Sequence, residues 1–400
     1  MRNLESQKSS VLFLQHDSIF ESYGGVQYYI DDFLTFLSNL YGADRLRVLL
    51  AQRTDSFKPQ DRPYSLETIR LSQGLLKKLE NRLSPSFFSK ALDVIRSQKP
   101  SVIIASHLSL APMAAILSKI TGIPFLVIAY GIEVWGNFQP QDKWALKRAD
   151  GIVSISHWTK AILEKQGFDG KKISIVHPSI SSEMINPSIS KNDSKSPILK
   201  LLTVSRLDSN EQYKGHDHVL QALKILKDRN FPLLLSYTIQ GNGDDLPRLQ
   251  SLVEGYGLQE SVTFLPGVRT REELKTIYQS HDVLIMPSRF GFWNKSWRGE
   301  GFGIVYVEAA MFGVPSIAYR CGGVTDIIED QQNGILVEPD DVQALANAIS
   351  ELAMDKPRIL ELGEKARQIA LKKFTPEQIA VEMKTAFKSY PFWNLEPTLS

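Results

Sequence analysis

Cysteine is nearly absent: 400 residues hold one, Cys321. A disulfide framework and a cysteine metal site are therefore excluded within one chain, and the usage fits a reducing compartment. Long hydrophobic runs are missing as well. No stretch of eighteen apolar residues occurs, and the polar segment Met1 to Ser10 shows no signal-peptide pattern, so a soluble, cytoplasmic protein is expected. No G-x-G-x-x-G follows the first strand-like run, which disfavours a nicotinamide dehydrogenase. Strong charge of one sign is also lacking. The net charge is +2, with 25 Lys/Arg against 18 Asp/Glu in residues 1–200 and 21 against 26 in the remainder. That bias falls well short of a nucleic-acid-binding domain, and no nucleic-acid partner is expected.

What is present suffices for substantial cores: 43% hydrophobic and 22% charged residues, over a length that suggests two or three domains. Short β-rich apolar runs alternate with helical patterns, which predicts parallel sheets covered by helices on both faces. The first series of strands is expected at 11–15, 46–51, 101–105, 124–129, 151–155 and 173–176, with helices such as 26–40 and 109–121 between them. A second series follows at 199–205, 233–240, 261–264, 282–286, 315–319 and 334–337, and the chain beyond Val342 reads as mostly helical. Residues 186–198, polar and proline-punctuated, read as a linker. The expected architecture is α/β: two Rossmann-like, doubly wound domains, 1–185 and 199–400, facing each other across a cleft. The last helices are able to cross back to the first domain. Ligands in such sheets bind beyond the carboxyl ends of the strands.

The most informative stretch runs from Glu300 through Gly301, Phe302, Gly303 and Ile304 to Glu308. Its two glycines leave room for a ligand to approach the backbone, and the first amides of the following helix favour an anion such as phosphate. Glu300 reaches a polar group just outside that helix end, and Glu308 a second one a turn inside. A diphosphate flanked by hydroxyls, as in a nucleotide-sugar, fits this layout. The competing reading is a helix-surface carboxylate and a loop charge.

Other loops support the ligand reading. Arg206 and Lys214 lie eight positions apart around one strand-to-helix loop, so two cations can bracket one diphosphate; the alternative is two solvated charges. Gly241 and Val268 belong to loops that end two further strands and can offer backbone atoms to a base, or be turns. Gly24 and Gly25 sit between the first strand and the first helix, where a sugar or phosphate can approach, or merely form a tight turn. His107, at a strand's carboxyl end, can hydrogen-bond a reacting sugar or its phosphate, or act as a capping residue. Tyr130, Glu133 and Trp135 follow another buried strand and suit an acceptor, with Trp135 as a stacking face, unless the tryptophan packs inward. Residues 73–83 place Leu75, Leu79 and Leu83 on one helical face beside Lys77, Lys78 and Arg82, with Phe87 and Phe88 following. That pattern suits an anionic bilayer or, alternatively, packing on the domain.

Together these segments resemble glycosyltransferase family 4, retaining nucleotide-sugar transferases of the GT-B fold. The resemblance is carried by Ser205-Arg206, Tyr213-Lys214-Gly215, Gly241-Asn242-Gly243, Pro266-Gly267-Val268, Met286-Pro287-Ser288, Glu300 with Glu308, and Gly322-Gly323. In the first half it rests more loosely on Gly24-Gly25-Val26 and His107. It implies a donor site in the second half and an acceptor site mainly in the first. Arg206 and Lys214 would hold the diphosphate, Glu308 the ribose hydroxyls and Glu300 the donor sugar. The amides near Gly303 and Ile304 would meet phosphate, and His107 would line the reacting centre. It also implies no metal and no cofactor besides the nucleotide-diphosphate-sugar, which is substrate. The expected acceptor is a saccharide or a lipid-linked molecule, in surface polysaccharide or glycolipid synthesis, with peripheral contact at the inner face of the membrane. Rival readings are a nucleotide-sugar epimerase on the same fold and a non-catalytic nucleotide-sugar-binding subunit. Three departures stand out. Ser205 replaces a frequent glycine and Tyr130 a frequent histidine. Residues 289–299 form an aromatic and basic insert, read as a mobile flap or a self-packed surface loop.

Overall fold

The computed structural model describes residues 10–16, 25–52, 64–70, 84–136, 138–185, 198–231, 235–268, 270–293 and 295–393. Gly24, nearly all of the expected linker and the amphipathic segment 73–83 lie outside these. Close contacts divide the chain into two units, Met1–His177 with Ile379–Ser400, and Pro178–Gln378.

The first unit is built on a parallel sheet of β1 (Val11–His16), β2 (Leu46–Gln52), β3 (Ser65–Arg70), β4 (Val102–Ala105), β5 (Phe125–Ala129), β6 (Gly151–Ser154) and β7 (Ile173–Ile175), ordered β3-β2-β1-β4-β5-β6-β7. Leu12, Phe13 and Leu14, like Ile103, Ile104 and Leu126 to Ala129, are fully buried. Helices cover both faces of such strands, which is why they read as unbroken apolar runs. β3 escaped the sequence reading because it is an edge strand in which none of Ser65 to Ile69 is fully buried.

Helix Gly25–Tyr41 lays Tyr29, Ile30, Phe33 and Leu37 on the sheet, and the Tyr29 hydroxyl donates to the Val176 carbonyl at 3.1 Å. Phe387, from the chain's last helix (Pro376–Lys388), meets Phe33 edge-on at 6.0 Å. Glu382 of the same helix accepts from the His177 amide at 2.8 Å. Phe87 is buried in helix Pro85–Gln98, so it belongs to the core.

The second unit repeats the design with β8 (Leu199–Val204), β9 (Leu235–Gln240), β10 (Val262–Leu265), β11 (Val283–Ile285), β14 (Ser316–Tyr319) and β15 (Gly334–Val337), all parallel and ordered β10-β9-β8-β11-β14-β15. A separate antiparallel pair, β12 (Gly291–Trp293) and β13 (Ser296–Arg298), was not expected. In both sheets the strand order reverses between two central neighbours, β1 and β4 or β8 and β11, and opens a crevice at their carboxyl ends. Among the described residues no helix is long and apolar enough to cross a membrane.

Candidate functional site

The crevice beyond β8 and β11 gathers the predicted cations. Ser205 donates its amide to Gln240, and Leu207 donates to the Asn242 carbonyl at 2.8 Å. This close approach requires glycine at 241: its φ is +155°, and a Cβ there would stand 1.8 Å from the Ser205 carbonyl oxygen. Downstream, the turn Ser209–Lys214 is braced by Asp208 on the Asn210 amide (2.8 Å) and by Asp244 on both the amide (2.7 Å) and the hydroxyl (2.8 Å) of Ser209. Gly215 then turns the chain into helix His216–Asp228. The loop is held shut by Ser205 Oγ, 2.8 Å from His216 Nε2.

Arg206 and Lys214 flank this loop, with Glu211 between them. Glu211 pairs with Arg206 through Oε1, while its Oε2 lies 3.8 Å from Lys214 Nζ. Lys214 is equally distant, 3.8 Å, from Glu300 Oε2. The Lys214 and Glu300 side chains are largely enclosed, at 12% and 17% exposure, whereas Arg206 is 68% exposed. Glu300 Oε2 and Glu211 Oε2 are both buried without a hydrogen-bond donor. A buried acceptor left unmet costs about 1–3 kcal/mol, and both oxygens keep lone pairs able to accept a hydroxyl.

Glu300 is anchored through its carbonyl, which accepts from the Gly323 amide at 2.9 Å. Gly303 caps helix Ile304–Met311 with φ +95°, and a Cβ there would lie 2.5 Å from the Tyr306 ring. The helix is apolar, and Val307, Ala309 and Met311 are buried in the unit. Phe302 is buried against Phe374, with ring centroids 5.5 Å apart, so it packs inward while Gly301 and Ile304 stay half-buried.

Glu308 is 9% exposed and accepts a 2.8 Å hydrogen bond from the Tyr278 hydroxyl. Burial raises its pKa, and the Tyr278 hydrogen bond and the Arg271 charge only partly offset that rise. The tyrosine is itself stacked on Phe312, centroids 5.8 Å apart. Glu308 is thus an oriented carboxylate a turn inside the helix. Beside β9 and β10, the Gly267 amide donates to Asn242 Oδ1 at 3.0 Å, so the loops of Gly241 and of Val268 lie together.

His107, Tyr130, Glu133 and Trp135 belong to the first unit. His107 follows β4 and caps the turn Leu108–Leu110; its Nδ1 accepts from the Ser109 amide at 3.1 Å, which leaves the ring proton on Nε2 when neutral. The ring stacks on Tyr130 with centroids 6.1 Å apart. Tyr130 is 7% exposed, and its hydroxyl donates to the Ser106 carbonyl at 2.7 Å. Glu133 folds back to accept the Tyr130 amide at 2.5 Å. Trp135 requires a correction: it is 3% exposed and its indole N–H donates to Thr159 Oγ1 at 3.1 Å. It packs inward and offers no sugar-stacking face. Gly25 is exposed at the start of its helix.

Three residues of this site were missed in the sequence. Glu211 sits within the same loop as Arg206 and Lys214 and was legible as an acid between two cations. Tyr278 and His216 gave no local signal, since their partners Glu308 and Ser205 come from other elements. Cys321 is buried with its thiol directed at the Ser288 carbonyl (3.2 Å), and burial pushes its pKa up to about 12, which disfavours the thiolate.

Two family models match the chain: Glycosyltransferase Family 4 over residues 23–183 and Glycosyl transferases group 1 over residues 186–369. A GDP-mannose-dependent alpha-(1-6)-phosphatidylinositol monomannoside mannosyltransferase of Mycolicibacterium smegmatis is 29% identical over 282 residues, covering 65% of this chain and 70% of the relative. The putative colanic acid biosynthesis glycosyltransferase WcaL of Escherichia coli is 25% identical, covering 64% of this chain and 61% of the relative. The chain therefore spans about seven and six tenths of these relatives. Among solved structures, HepE of Anabaena in complex with UDP superposes with a TM-score of 0.74 at 19% identity, over 95% of this chain and all of HepE.

Proposed function

We propose that this chain, which belongs to the family 4 glycosyltransferases and has the GT-B fold, is a retaining transferase of hexose from a nucleotide-diphosphate-sugar to a saccharide or lipid-linked acceptor. The observation that carries this reading is the enclosed Lys214, 3.8 Å from both Glu211 and Glu300, beside two carboxylate oxygens that lack donors. A ligand that brings both negative phosphate and hydroxyl donors would satisfy both kinds of group at once.

In this reading Arg206 and Lys214 stabilise the charge that develops on the departing diphosphate. The amides at Gly303 and Ile304 add the partial positive charge of a helix start. Glu300 accepts from hydroxyls of the donor sugar and Glu308, held by Tyr278, from the ribose. His107, protonated on Nε2, lines the acceptor side, with Tyr130 and Glu133 shaping the loop behind it. The two cations supply the neutralisation for which other transferases use a metal. A phosphatidylinositol mannoside and a colanic acid enzyme among the relatives favour a glycolipid or surface-polysaccharide product made at the inner face of the membrane. GDP-mannose in one relative's name and UDP in a neighbour's structure leave both bases as candidate donors.

The test is a panel of UDP-, GDP- and ADP-sugars on the wild type and Glu308→Gln, followed by thermal stabilisation and by product analysis. Stabilisation by one donor, weakened in the variant, with slow release of free sugar supports the transferase. Conversion to an isomeric nucleotide-sugar would establish the epimerase instead. Binding without any turnover, even across an acceptor panel, would indicate a non-catalytic subunit.

A further inference from the structure

Residues 289–299 are the insert whose aromatic and basic character the sequence left as flap or self-packed loop. The structure shows the self-packed form, a hairpin in which Gly291 faces Arg298, Phe292 faces Trp297 and Trp293 faces Ser296. Facing residues share one side of the ladder. Phe292 and Trp297 hold one side, centroids 5.8 Å apart, with Phe290 stacked on Trp297 at 5.0 Å. Arg298 lies on the other side with Trp293, whose indole folds over Gly291 so closely that a Cβ there would meet it at 2.7 Å. The Arg289 guanidinium lies 5.7 Å from the same indole.

The hairpin is rooted in the loop that carries Lys214. The Arg289 amide donates to the Tyr213 carbonyl at 2.7 Å, and its guanidinium donates to the Gln212 carbonyl at 2.7 Å. A third bond runs to His218 Nε2 at 3.1 Å, and Asp217 lies 3.4 Å away. Arginine can only donate, so His218 accepts at Nε2 and donates from Nδ1 to the Tyr319 hydroxyl at 2.8 Å.

This root delivers Arg298, two residues before Glu300, toward the same crevice. Its Nε is buried and has no hydrogen-bond partner, like Glu300 Oε2 and Glu211 Oε2. Burial, with Glu300 and Glu211, raises the Tyr213 pKa, and the Arg298 charge, like that of Arg206, works against that rise. Glu211 and Glu300 pair with Arg206 and Lys214, and among the described residues Arg298 forms no ion pair, so its charge is left for a ligand.

We propose that Arg298 is a third cation of the donor site, carried by the hairpin to the diphosphate that Arg206 and Lys214 bracket. The inference rests on the reading of that crevice as a nucleotide-diphosphate-sugar site. A guanidinium is planar, always charged and suited to paired phosphate oxygens, so the insert adds grip on the diphosphate and none on the base.

The experiment measures the affinity of the full chain for UDP, GDP and ADP by calorimetry and for uridine, guanosine and adenosine by ligand-observed NMR. It compares the wild type, Arg298→Gln and Arg298→Lys. Arg298→Gln is expected to weaken the preferred diphosphate about 10- to 100-fold, to leave its nucleoside within about twofold, and to be partly rescued by Arg298→Lys. Unchanged diphosphate affinity in Arg298→Gln overturns the proposal. So does an equal loss of diphosphate and nucleoside accompanied by a lower melting temperature, which is the mark of a structural role. If the wild type binds no diphosphate, the donor-site reading itself fails and takes this proposal with it. That outcome is distinct from a wild type that binds and a variant that does not differ.

Discussion

Acidification should destabilise the second unit through one histidine. His216 opens the helix behind the Lys214 turn, is 3% exposed, and holds Ser205 across the loop at 2.8 Å. Burial first, then the neighbouring Lys214 charge, lower its pKa from 6.5 to about 4, against the weaker pull of Asp217 and Asp245. Between those two values the unfolded chain binds a proton that the native chain refuses. Stability therefore rises with pH there, by about 1.4 kcal/mol per unit. The contribution is complete above the unfolded pKa and is lost as pH falls toward the folded one. Going from pH 7.5 to 5 crosses about 1.5 units of that window, which amounts to about 2 kcal/mol.

For a unit of this size each kcal/mol moves the melting temperature by about 2–4 °C, so roughly 4–8 °C is at stake. The assay is thermal unfolding of the wild type and His216→Gln at several pH values and constant ionic strength. Glutamine can still hydrogen-bond Ser205 but cannot titrate, and the remaining groups cancel in the difference between the two proteins. The wild type should lose that much more than the variant on acidification. Parallel curves would show that His216 titrates alike in both states and would refute the reasoning.

Two glycines of the same unit should behave oppositely. Gly241→Ala drives a methyl to 1.8 Å from the Ser205 carbonyl oxygen and should cost about 2–3 kcal/mol by chemical denaturation. Gly255→Ala, in helix Leu246–Gly255 with nothing within 4 Å of its added methyl, should be neutral or up to about 1 kcal/mol stabilising. Trp135→Phe breaks the 3.1 Å bond to Thr159 and should cost about 1–3 kcal/mol of stability, with the acceptor KM unchanged. A large rise in KM without loss of stability would restore Trp135 to the acceptor site.

Legibility followed burial. The central strands could be read because parallel strands covered on both faces demand continuous apolar side chains, as in Val11–His16 or Val102–Ala105. Ser65–Arg70 could not, because its outer side faces solvent and its sequence resembles a loop. The three-residue strands of the hairpin are too short for any period to show, and their pairing depends on the glycine at 291 and on rings meeting across the turn.

The sequence by itself determined the two α/β units, the family and the loops that carry Arg206, Lys214, Glu300 and Glu308, because each lies in or just after a loop whose punctuation is local. Only the tertiary structure decided which of these groups has a partner. Glu211 joins Arg206 to Lys214, Tyr278 orients Glu308 from thirty residues away, and Trp135 turns inward because Thr159, twenty-four residues later, receives its proton. The insert was settled the same way, by Arg289 bonding to the Gln212 carbonyl seventy-seven residues before it. Local pattern reports whether a side chain can be buried. Whether a buried polar group is already satisfied depends on what the strand order brings beside it, and that is a property of the fold.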